Sequence, residues 1–154
     1  MSDWIEDLKS ANDAAASRQG HETEMRLHCA KVIKAKAPAF WQALVERLQS
    51  DCKRLNDTFP NDLSRQCTFS MEGQDRFQLN GYMGESKTLR LTLNLEGLGI
   101  GEEFFSGSED RKVERKLLSF KIDENEHLFL TGLGGNITDP EKASETLIKR
   151  IIRT

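Results

Sequence analysis

A chain of 154 residues with 37% apolar and 31% charged side chains can bury one core and is not polar enough to stay disordered. Its 22 lysines and arginines against 25 acidic residues leave a formal charge of −3, so no global basic field draws in nucleic acid or an acidic membrane. Three cysteines, an odd count with no leader-like segment before them, argue against a disulfide-stapled secreted scaffold, and no apolar run nears the roughly 20 residues that cross a bilayer. The expectation is one cytoplasmic domain over residues 1–154, with no nucleic-acid or membrane partner.

The N-terminal third reads as a helix. Met25, Cys29, Val32, Ile33, Phe40, Leu44, Leu48, Cys52 and Leu55 recur at steps of three, four or their sums, and Trp41 and Val45 widen the stripe. Pro38 lacks an amide donor, but the stripe keeps its phase across it, so one kinked, continuous helix from Glu22 to Asn56 is expected. Asn56 and Asp57, followed by Pro60, close it. Such a helix spans roughly 50 Å at 1.5 Å per residue, against about 38 Å for a compact domain of this length. It must bend, overhang the sheet or be covered by another subunit.

Before Gly20, Trp4, Ile5 and Leu8 form a small apolar patch, and then only alanines supply apolar surface until Met25. Residues 1–20 are expected to be a flexible arm or one that clasps a neighbour. A homodimer follows as an expectation.

The middle reads as an antiparallel meander. Leu89, Leu91, Leu93 and Leu95 alternate with polar residues, as do Cys67, Phe69 and Met71, and Phe77 and Leu79. A three-residue loop at Gly73-Gln74-Asp75 sets Phe69 opposite Leu79 and Met71 opposite Phe77. A second at Gly84-Glu85-Ser86 sets Leu79 opposite Leu91 and Phe77 opposite Leu93, with every apolar side chain on one face. The glycine-rich, acidic stretch 97–112 has room for a short strand near Ile100–Phe105. A further hairpin joins Leu118, Phe120 and Ile122 to Leu128 and Leu130 through a turn at residues 123–126. Leu117 and Phe129 break the polar outer pattern and form a candidate contact patch.

Thr138-Asp139-Pro140-Glu141 resembles a capping box, and Ala143, Leu147, Ile148, Ile151 and Ile152 then supply a buried stripe, with Lys149, Arg150 and Arg153 complementing the helix C-terminus. The fold class is α+β with two layers. A long N-terminal amphipathic helix and a C-terminal helix pack on one face of an antiparallel meander sheet of four to six strands.

The chemistry-bearing residues assemble no recognised constellation. Cys29, Cys52 and Cys67 all fall on core positions and lack a Cys-x-x-Cys partner, so they read as small hydrophobes. His21 and His28 lie about 10.5 Å apart along the helix, too far to share an ion, and His127 sits elsewhere. No Gly-x-Ser-x-Gly occurs, and Ser106-Gly107-Ser108 has no histidine nearby in sequence. Gly97, Gly99 and Gly101, and Gly132, Gly134 and Gly135, match neither dinucleotide nor P-loop spacing. They read as strand-end turns with unusual backbone angles. Asp139 and Glu141 would repel a phosphate at the last helix. The pairs Glu102-Glu103, Glu109-Asp110 and Asp123-Glu124 read as solvated carboxylates, and Lys31, Lys34 and Lys36 as a solvated helix face.

Catalytic, metal and cofactor-binding residues are therefore assigned to none, and the balance leans against an enzyme. The expectation is a non-enzymatic protein-interaction module acting as a homodimer, with Trp4, Ile5, Leu8, Leu117 and Phe129 as candidate interface. The alternative is a small-molecule or lipid binder whose apolar pocket, between curved sheet and long helix, is lined by Trp41, Phe69, Phe77 and Leu91.

Overall fold

A computed structural model describes residues 3–107 and 112–154. The first helix, α1, runs unbroken over Trp4–Thr58, through Pro38. It starts earlier than Glu22 because Asp3 caps it, its side chain accepting from the Ile5 amide at 3.0 Å. At 55 residues it is about 82 Å long, well over the width of a compact domain. Overhang is thus how the chain resolves its helix length. Asn56, expected to close the helix, lies inside it and does other work. Its side chain accepts from the Cys67 amide at 2.9 Å and donates to the Cys67 carbonyl at 2.7 Å, clamping the first strand to α1.

A short 3-10 turn at Leu63–Arg65 leads into six strands: β1 (Cys67–Met71), β2 (Arg76–Tyr82), β3 (Ser86–Asn94), β4 (Gly99–Ser106), β5 (Lys112–Ile122) and β6 (Leu128–Leu130). Their spatial order follows chain order, every neighbouring pair antiparallel. The second helix, α2 (Pro140–Ile148), closes the fold. Both helices contribute to one core with the inward face of the sheet, the two-layer α+β arrangement that the periodicities predict.

The first hairpin has the expected register, Phe69 opposite Leu79 and Met71 opposite Phe77. The second is displaced. Tyr82 pairs with Ser86, so the loop is Met83-Gly84-Glu85, and Phe77 stands opposite Leu91 and Leu79 opposite Leu89. Gly84 takes φ +74° at the loop centre, a backbone conformation that glycine adopts at no steric cost. Moving a loop by one residue shifts the pairing by two, which preserves the faces; that is why the apolar residues still point together. Phe77, Leu79, Leu89, Leu91, Leu118 and Leu130 are fully buried, whereas Met71 at the end of β1 is 38% exposed.

From α1 the core takes Ile33, Ala37, Phe40, Trp41, Leu44, Val45, Leu48 and Cys52. From the C-terminal segment come Ala143, Leu147, Ile148, Ile151 and Ile152, buried as expected, but α2 ends at Ile148, so the last two lie beyond the helix, and Arg150 and Arg153 pair with Glu102 and Asp62 instead of its C-terminus. The cap of α2 differs from the expected one. Asp139, not Thr138, is the N-cap, accepting from the Glu141 amide at 2.9 Å, which puts Pro140 at the first helical position.

Candidate interaction surface

The N-terminal half of α1 belongs to no core. Every residue from Trp4 to His28 is exposed, and the buried stripe begins at Ile33. Among the described residues, the first polar ties from the helix to the rest of the fold are at His28, Lys34, which pairs with Glu96 at 3.6 Å, and Lys36. The His28 Nε2 lies 2.6 Å from Glu126 Oε1, and Lys36 donates to the Glu126 carbonyl. Contact with the His28 ring holds the Glu126 carboxyl below its ordinary range. Glu126 can sit there because the β5–β6 turn gives it φ +60°, with Asp123 accepting from the amides of Asn125 and His127.

N-terminal to that anchor, α1 is a free-standing arm. It carries Trp4, Ile5 and Leu8 at 72%, 57% and 55% exposure, with Met25 and Leu27 nearer the body. A helix without tertiary contacts relies on propensity alone, and Gly20 in its middle costs about 1 kcal/mol relative to alanine. The segment expected as a loose arm is therefore a helix with an apolar face and nothing against it.

The other candidate residues divide. Leu117 is exposed on the outer side of β5 and Phe129 is half-buried on the outer side of β6, opposite Lys121. Four residues of β5 separate the two positions, about 13 Å, so they are not neighbours. The Phe77 ring lies between Trp41 and Phe69, with centroids 5.0 and 5.5 Å away respectively, and the Trp41 indole N–H donates to the Gln74 carbonyl at 3.0 Å. Leu91 is fully buried beside Phe77. These side chains occupy the space between sheet and helix where the alternative reading requires a pocket.

Three features escaped the sequence reading. Glu102 is not a solvated loop carboxylate: it lies on β4 between Ile100 and Phe104, is 2% exposed, and pairs with Arg150 and, at 3.6 Å, with Lys116. Arg150 also covers the Phe104 ring at 5.2 Å. Strand parity was the available clue, since Glu102 shares its face with Ile100. Cys29 is half-exposed and not a core residue, whereas Cys52 and Cys67 are buried with their Sγ atoms 2.7 Å apart. The contact with Cys67, together with burial, pushes the Cys52 thiol up. Finally, a groove of about 430 Å³ runs between α1 and α2, floored by Leu55, Phe59, Ile148 and Ile152 and rimmed by charges of both signs.

The two glycine clusters differ. Gly132 and Gly134 take φ +103° and +89°, but in the first cluster the positive φ belongs to Leu98. Gly99 is needed for a different reason: a Cβ there would lie 2.2 Å from the Leu118 carbonyl oxygen. The Glu109-Asp110 pair and Ser108 fall outside the described residues. Among the described residues no group of three metal-ligating side chains occurs, and no helix is long and apolar enough to cross a membrane. No protein-family profile, curated protein or solved structure matches this chain.

Proposed function

We propose that this protein is a non-enzymatic, cytoplasmic interaction module that acts as a homodimer through the exposed arm of α1. The carrying observation is that residues 4–28 are helical and wholly exposed while presenting Trp4, Ile5 and Leu8 to water. Exposed single apolar residues are ordinary on a protein surface; a tryptophan, an isoleucine and a leucine within one and a half turns of an otherwise unsupported helix are a surface built to be covered. Self-association gives such a helix the packing that its own fold does not.

The test is removal of residues 3–20 from the full chain. We expect the truncated protein to keep its Tm at high dilution and to sediment as a monomer at concentrations where the full chain is a dimer. If self-association and solubility are unchanged by the deletion, the arm has no such role.

A further inference from the structure

We propose that the arms of two copies pair antiparallel, about a two-fold axis that passes level with Gly20. This rests on the homodimer reading and adds its geometry. On the exposed helix, Trp4, Leu8, Ala11, Ala15, Arg18, Glu22, Met25, Cys29 and Val32 succeed one another at alternating steps of four and three, the spacing of a coiled-coil seam. Arg18 and Glu22 break its apolar run, and they decide the direction.

In a parallel, in-register pair Arg18 would meet Arg18 and Glu22 would meet Glu22 inside the seam, two like-charge contacts. Turned antiparallel, with paired positions summing to 40, Arg18 faces the partner's Glu22 and Glu22 faces the partner's Arg18. The same register sets small against large elsewhere: Ala15 against the partner's Met25, Ala11 against the partner's Cys29. Leu8 meets the partner's Val32. Cys29 and Val32 are half-buried at the edge of their own fold, so the seam runs up to the anchored part of α1. Trp4 and Ile5 then come to rest beside the partner's α1 where it joins the body. Leu27 is off the seam and stays in water.

The geometry is tested with the full chain carrying Ala11→Cys, treated with a short bismaleimide and mapped by peptide mass spectrometry. A crosslink from the introduced thiol to native Cys29 of the other chain is expected. In a second arm of the experiment, Arg18→Glu should weaken dimerisation roughly tenfold, and adding Glu22→Arg to the same chain should restore it. A dimer that instead links the two introduced thiols to each other, and the two Cys29 side chains to each other, overturns the antiparallel register while leaving the homodimer standing. A chain that sediments as a monomer at all accessible concentrations overturns both.

Discussion

Replacing Glu102 by alanine is expected to destabilise the fold by about 3 kcal/mol. The carboxylate is 2% exposed, on the apolar face of the sheet, with Arg150 and Lys116 as its counter-ions. Removing one member of a buried ion pair costs about 3–5 kcal/mol because the charge left behind stays desolvated. The lower end applies here: Arg150 keeps 28% of its side chain in water and Lys116 keeps 45%, so both can relax outward. In a domain of this length each kcal/mol moves Tm by about 2–4 °C, so Tm should fall by about 6–12 °C. Urea unfolding followed by far-UV circular dichroism measures the free energy directly. Glu102→Leu combined with Arg150→Met should recover most of the loss, since an apolar pair of similar volume has no charge to desolvate and Met still packs on Phe104. A cost below about 1 kcal/mol for Glu102→Ala, the range of an exposed ion pair, would refute the inward placement of this carboxylate.

Two glycines should respond in opposite ways. A Cβ on Gly81 would lie 2.3 Å from the Ile151 carbonyl oxygen, so Gly81→Ala should cost about 1–3 kcal/mol in the same urea assay. Nothing lies within 4 Å of a Cβ on Gly20, so Gly20→Ala should raise helicity and gain about 0.5–1 kcal/mol in the arm. Hydrogen bonds hold the carboxyls of Asp62, Asp123 and Glu126 below their ordinary range, from the Ser64 hydroxyl, the His127 amide and the His28 ring respectively. Groups depressed in the folded state add stability above the unfolded pKa of about 4 and lose it as pH falls through the folded value; Tm should therefore drop below about pH 4, and a Tm that rises there would contradict these contacts. Iodoacetamide should label half-exposed Cys29 in the native chain and reach buried Cys52 and Cys67 only once the fold opens. Fast labelling of Cys52 or Cys67 in the native chain would contradict their burial against each other.

What the sequence made legible depended on how many residues carried each message. The strand faces were written by many alternating apolar side chains, so a loop misplaced by one residue at Gly84 changed who faces whom without turning any leucine outward. The α1 stripe was equally redundant and survived Pro38. Single-residue messages were weaker. Glu102 sits at an inward position that a neighbouring acid, Glu103, made look like loop surface, and its counter-ion Arg150 is 48 residues away, beyond any local pattern. The N-cap turned on Asp139 against Thr138, two residues of similar capping ability one position apart. The arm was under-read for another reason: alanines and polar residues leave no strong apolar periodicity, although alanine is the best helix former.

The arm is also where the homodimer claim is most open to refutation. If a second copy covers residues 4–28, their backbone amides should be protected from hydrogen exchange at micromolar concentration, and lose that protection on dilution while the amides of β2–β5 keep theirs. Amides of the arm that exchange equally fast at every concentration, with the sheet protected throughout, would contradict the claim that this helix is a homodimer contact.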